Sequence, residues 1–146
     1  MGLHGKILRD LMSNEKTGSD FEEEFSRIVF SRGFWAHKMT ANRHGQPSDV
    51  IISKNNMSAM VECKVCENNK FPLSRIEDNQ ELAMALWMKT GNSHAYFALK
   101  INNDIRMIHF ITLLRLKEQE NLKHLNYKQI MERSVSFDEW VDATWK

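Results

Sequence analysis

The stretch Met57-Ser58-Ala59-Met60-Val61-Glu62-Cys63-Lys64-Val65-Cys66 decides how this chain is read. Side chains alternate across a β-strand, so Met57, Ala59, Val61, Cys63 and Val65 fall on one face. Ser58, Met60, Glu62, Lys64 and Cys66 fall on the other. The first face is small and apolar throughout, as packing on a core requires. The second carries an acid and a base one pleat apart in otherwise uncharged surroundings, which packing alone does not call for. With Asp49 upstream, two carboxylates and an ammonium are available where one divalent cation and one phosphodiester could meet.

Outward from this strand the pattern stays legible. Phe34 to Thr40 and Ser48 to Ser53 read as strands around the turn Asn42 to Pro47, and Asn55-Asn56 turns the chain into the strand that carries Glu62. Gly18-Ser19-Asp20 introduces an amphipathic helix from about Phe21 to Arg32, with Phe21, Phe25, Ile28 and Val29 on one stripe and Gly33 as its stop. Residues 3 to 13 read as a short helix before it. Downstream, Ser74-Arg75-Ile76-Glu77 has the capping-box pattern and opens a helix to about Thr90, closed by Gly91. His94 to Ile101 and Ile105 to Thr112 read as two strands joined at Asn102-Asn103-Asp104. The chain from Leu113 onward reads as helical, with a further cap at Ser136-Phe137-Asp138-Glu139. The order α-β-β-β-α-β-β, with helices following, is that of an α/β domain: a mixed central sheet flanked by helices.

Composition narrows the class. The chain has 146 residues, 42% of them hydrophobic, enough for one domain with a real core. Two prolines, six glycines and no internal repeat leave little room for a linker. A single domain over residues 1–146 is expected, with a core of about 16–112 and a helical tail over 113–146. No run of about 18 apolar residues exists to cross a bilayer. The first residues lack an apolar segment of signal-peptide length, and two cysteines make no disulfide framework, so a reducing cytoplasmic setting is expected. Formal net charge is only +1, but between Arg27 and Arg75 bases outnumber acids. The field near the proposed site should therefore be positive and attract a polyanion.

Phosphodiester hydrolysis needs a nucleophilic water, charge stabilisation at phosphorus and help for the leaving oxygen, and Mg²⁺ held by carboxylates can provide all three. Asp49, Glu62 and the backbone carbonyl after Glu62 are the candidate ligands. Lys64, on the same face, can orient the water or neutralise the phosphate. Three neighbours bear on this. Of Glu22, Glu23 and Glu24, Glu22 lies at the edge of the helix stripe and is the one to turn toward the sheet, whereas Glu23 and Glu24 read as favourable charges in a first turn. The residues alone leave Glu22 open between the two roles. Gln80 shares a face with Ile76, Ala83, Met84 and Trp87, either as a structural amide or as a group that holds water or phosphate. The loop Glu67 to Leu73 combines Lys70 with Phe71, as a DNA-contacting loop does, or as an ordinary loop with one anchoring aromatic.

Cys63-Lys64-Val65-Cys66 has the spacing of a zinc or redox motif, but residues three apart on a strand face opposite sides, so structural zinc is not expected. The six histidines are dispersed, and Trp35, Trp87, Trp140 and Trp145 read as core or interface residues.

Gly18-x-x-x-Glu22, Phe25 to Gly33-Phe34, Ser48-Asp49-Val50 and Val61-Glu62-Cys63-Lys64 together resemble the PD-(D/E)XK nuclease superfamily in the form of archaeal-type Holliday junction resolvases. Glu62-Cys63-Lys64 followed by Lys70-Phe71-Pro72-Leu73 and Asp78-Asn79-Gln80 is also similar to the bacterial RecU-like resolvases. The two resemblances cover roughly residues 16 to 112. They imply a restriction-endonuclease-like fold, with Glu22, Asp49 and Glu62 holding metal, Lys64 catalytic and Gln80 supporting the site. Ser48 stands where the motif has proline, with Pro47 one place earlier. The implied activity is Mg²⁺-dependent cleavage of branched DNA, Mn²⁺ substituting, by a homodimer that resolves four-way junctions in recombination and repair. Lys38, Arg43, Lys70, Phe71 and Arg75 are the expected DNA contacts. A restriction-like or general nuclease, and a catalytically silent DNA-binding module of the same fold, are the alternatives.

Overall fold

The computed structural model describes residues 18, 20–39 and 49–146. The expected helix over 3–13 and the turn at 42–47, including Arg43, lie outside them. A first helix, α1, runs through residues 20–31. It is followed by β1 (Trp35–Lys38), β2 (Val50–Lys54), β3 (Met57–Val65), β4 (Phe71–Pro72), a 3-10 turn (Leu73–Arg75) and α2 (Asp78–Lys89). Then come β5 (Ala95–Ile101), β6 (Asp104–His109), α3 (Phe110–Glu118), β7 (His124–Leu125), α4 (Tyr127–Arg133), β8 (Val135–Ser136) and α5 (Phe137–Thr144).

Six strands form one sheet in the order β1-β2-β3-β5-β6-β8, and β4 pairs with β7 in a separate ribbon. The hairpins β2–β3 and β5–β6 close through Asn55-Asn56 (φ 53° and 66°) and Asn102-Asn103 (φ 50° and 67°). Two left-handed residues in a row give the turn whose twist matches the flanking strands, and asparagine tolerates that backbone better than other side chains. The pairing of β3 with β5 is parallel, so α2 is the crossover between them, as a parallel connection demands. With partners on both sides, β3 is the interior strand that carries Glu62 and Lys64.

Each face of the sheet has its own core. Val50, Ile52, Val61 and Cys63 lie under Phe21, Phe25 and Val29 of α1 and Trp140 of α5. Met60, Phe97, Leu99 and Ile108 lie with Met84 of α2 and Phe110 of α3 on the other side. Alternation along β3 thus sends Cys63 into the first core, while Cys66 packs against the second.

Three expectations need correction. The cap opening α2 is not Ser74 to Glu77: Ser74 and Arg75 belong to the 3-10 turn, and the reciprocal pair is Glu77 with Gln80. The strand expected to reach Thr112 stops at His109, whose ring nitrogen Nδ1 accepts from the Ile111 N–H at 3.0 Å and caps α3. The tail is more than helical, because β7 pairs with β4, and β8 adds an edge to the main sheet beside β6. Of core or interface, the alternatives for Trp140 and Trp145, both take the core. Phe34 stacks on Trp140 with centroids 5.9 Å apart and meets Trp145 edge-on at 4.9 Å, so both indoles fill the α1–α5 core. No helix among the described residues is long and apolar enough to cross a membrane.

Candidate active site

Asp49 precedes β2 by one residue, and the register Val50↔Val61 brings it alongside Glu62 on β3. Its carboxylate oxygen Oδ2 accepts the Cys63 N–H at 2.8 Å, which fixes it against the strand. Glu62 is only 2% exposed and Asp49 only 5%. Gln80, in the first turn of α2, donates from Nε2 to Glu62 Oε1 at 2.8 Å, while its own Oε1 accepts the Glu77 N–H at 3.3 Å. The amide is therefore oriented by the helix start, with its donor end committed to the carboxylate. Lys64 Nζ stands 3.6 Å from the same Glu62 Oε1. Both of these Gln80 bonds are to groups of the protein, the Glu77 N–H and the Glu62 carboxylate.

Glu22 on α1 completes the cluster. It meets Lys38 at 3.8 Å, and its carboxyl lies against Asp49. Glu23 also meets Lys38, at 3.6 Å, but is more exposed, and Glu24 is drawn away to Lys100 at 2.6 Å. Three carboxyl groups thus crowd a site with few counter-charges. Burial, then the neighbouring Asp49 charge, pushes the Glu62 carboxyl up to about 9, against its usual 4.5. The same causes push Glu22 up to about 7. Glu62 Oε2 is buried without a hydrogen-bond partner. Its contact with Asp49 becomes a hydrogen bond only when one of the two acids carries a proton.

An orphaned carboxylate oxygen among crowded acids fits a hard cation, which would displace the protons these acids retain. Among the described residues no three His, Cys, Asp or Glu side chains converge as a ready-made cage. Mg²⁺ does not ask for one, since it usually binds one or two carboxylates and completes its shell with waters and phosphate oxygens.

The expected DNA contacts fare differently. Lys70 is exposed at the tip of the turn Glu67-Asn68-Asn69-Lys70. Lys38 stands beside Glu22 and Glu23 at the rim of the site. Phe71 must be corrected: it is fully buried against Phe97, so its ring is an anchor for the loop and is not open to a base. Arg75 donates to the Val65 carbonyl at 2.6 Å and lies over the Phe71 ring, which ties it to the end of β3. Loop composition gives no sign of which members turn inward, and that is why the sequence left both open. Trp35, expected in a core or interface, is 60% exposed.

A mixed sheet whose interior strand presents Glu-x-Lys beside an upstream aspartate, with a helix glutamate closing the group, is the arrangement of restriction-endonuclease-like nucleases. Comparison bears out the fold. The model of the archaeal Holliday junction resolvase (Hjc) family matches residues 13–146, and the chain belongs to that family of structure-specific nucleases. The match extends through the tail. The structure is similar to that of the Holliday junction resolvase Hjc of Archaeoglobus fulgidus, with a TM-score of 0.64 and 17% identity, covering 84% of this chain and 98% of that one. At that identity the likeness concerns the fold. A search of curated proteins gives no match.

Proposed function

We propose that this member of the family cuts four-way DNA junctions as a homodimer, with Mg²⁺ as its ion, through Glu22, Asp49, Glu62, Lys64 and Gln80. The observation that carries the reading is the buried Glu62, held by Gln80 at 2.8 Å and faced by Lys64 at 3.6 Å, with one oxygen left unsatisfied. Asp49 and Glu62, with Glu22 at the rim, are the residues that would hold the ion, which supplies a polarised water and charge neutralisation at phosphorus. Gln80 keeps Glu62 from rotating toward its neighbours. The Lys64 ammonium, on the same side of β3, is suited to orienting the attacking water or the phosphate oxygen it approaches. Lys38 and Lys70 supply charge to the phosphate backbone, which sets affinity and register but no base preference.

A four-way junction has two strands to be cut symmetrically, so two sites related by a two-fold axis are needed, and an isologous dimer is the simplest source. Leu82 and Leu86, one turn apart on the exposed side of α2, are 72% and 61% exposed and are suited to the apolar centre of such a contact. The test is incubation with Mg²⁺, Mn²⁺ or Ca²⁺ and matched four-way, duplex and single-stranded DNA. Paired symmetric nicks in the junction, with Mg²⁺ or Mn²⁺ and little in Ca²⁺, are expected. Equal cutting of linear duplex by a monomer would favour a general nuclease instead.

A further inference from the structure

The edge strand β1 carries an aromatic pair that neither core nor catalytic cluster uses. Trp35 is 60% exposed, and its ring lies 13° from parallel with that of His37, centroids 6.1 Å apart. Alternation puts both on one side of β1, while Ala36 packs into the α1–α5 core on the other. Register then fixes which side of the whole sheet this is. His37 pairs with Ile51 and Ile51 with Met60; Trp35 pairs with Ser53 and Ser53 with Ser58. Directly paired residues share a face, so Trp35 and His37 stand on the face that presents Glu62 and Lys64.

The row beside Trp35 is shallow. Ser53 and Ser58 are small, and the Ser58 hydroxyl donates to Ser53 Oγ at 3.2 Å. The indole thus has a low polar floor on its flank, and β1 itself, Trp-Ala-His-Lys, bears no acid to repel a phosphate backbone. Counting ~3.4 Å per residue along a strand and ~4.8 Å between strands puts Trp35 roughly 17 Å from Glu62. At ~3.4 Å per nucleotide along one strand, that is the reach of about five nucleotides.

We propose that Trp35, backed by His37, is a stacking platform for a nucleobase of the cleaved strand a few nucleotides from the scissile phosphate. This rests on the reading of the chain as a DNA nuclease. A branch point is where bases lose a stacking neighbour, and an indole accepts any base through its π-face. Trp35 would therefore hold the strand so that the correct phosphate reaches Glu62, without reading sequence. Loss of one such stacking contact should weaken binding roughly tenfold, which is about 1.4 kcal/mol.

The test uses the full chain with Glu62→Gln to prevent cutting, and four-way junctions carrying 2-aminopurine at successive positions on either side of the cut site. One position should lose fluorescence on binding. Trp35→Ala should restore that signal and weaken Kd about tenfold, and Trp35→Phe should keep part of both. As Trp35 is exposed, its substitution should leave thermal unfolding nearly unchanged. The proposal is overturned if no probe responds to Trp35 and Kd is unaltered, or if Trp35→Ala halves the mass in solution, which would make the free edge of β1 a contact between copies of the chain. The two readings fail separately. A parental protein that cuts junctions with Mg²⁺ while Trp35→Ala changes nothing sinks the platform alone, whereas a parental protein that cuts no DNA sinks the nuclease reading whether or not a probe is quenched.

Discussion

Glu62 is where stability and chemistry pull in opposite directions. Its carboxyl is pushed up to about 9 and that of Glu22 to about 7, both from 4.5. In that interval the folded, metal-free chain holds more protons than the unfolded chain, so ν_U − ν_N is negative and stability falls as pH rises. The decline should begin near the usual carboxyl range and continue to about pH 9, as read by chemical unfolding with chelator present. Glu62→Gln removes the charge yet can still accept from Gln80. It should raise the unfolding midpoint of the metal-free protein at pH 8 by roughly 3 °C, corresponding to about 1 kcal/mol for a chain of this size. The same change, like Asp49→Asn and Lys64→Ala, should lower Mg²⁺-dependent cleavage by about 10²-fold or more. A Glu62→Gln protein that cuts at the parental rate would show that the cluster is not the metal site. Glu62 and Lys64 were legible in the sequence because a two-residue period alone places them together. Glu22 was legible in direction, since the edge of the helix stripe separates it from Glu23 and Glu24, but not in role, because its contact with Asp49 depends on how α1 packs on the sheet.

Among the elements, α2 matters through its first turn. Gln80 both closes the Glu77 pair and holds Glu62, so Gln80→Ala should lose about 1 kcal/mol of stability as a cap and about 10- to 100-fold in metal affinity as an orienting partner. A loss of stability with metal binding intact would reduce it to a cap. The cap was misplaced in the sequence because Ser74-x-x-Glu77 satisfies the same spacing rule as the pair that forms. The strands β4, β7 and β8 were invisible for another reason. Two residues display no period, and their pairing depends on where the ends of longer elements meet. The aromatic residues of α5 could not be assigned from sequence, since an apolar face is satisfied equally by a core or by a partner. In the fold, Trp140 lies against Phe25, Phe34, Tyr96 and Phe137. Trp140→Ala should therefore destabilise by about 3–5 kcal/mol in urea titration. It should leave the oligomeric mass of the remaining folded fraction unchanged.

For the molecule as a whole, symmetric cutting of two strands depends on assembly. If Leu82 and Leu86 are the centre of the two-fold contact, replacing both with Glu should reduce the sedimenting mass to that of one chain at micromolar concentration. Metal uptake per chain should persist, and paired nicks should give way to single ones. Retention of the dimer would move the contact elsewhere. The α1–α5 core has a consequence for synthesis. Phe25, within the helix that carries Glu22, and Phe34, just after it, rest on aromatic rings from Phe137, Trp140 and Trp145. Asn55, in the turn leading into β3, is tied to the Trp145 carbonyl at 2.7 Å. A ribosome adds those residues after every other strand and helix has been synthesised, at about 5–20 residues per second. Until then the helix that carries Glu22 has the sheet residues Val50, Ile52 and Val61 to pack on but lacks its aromatic cover, and the nascent polypeptide holds the candidate site under half a roof.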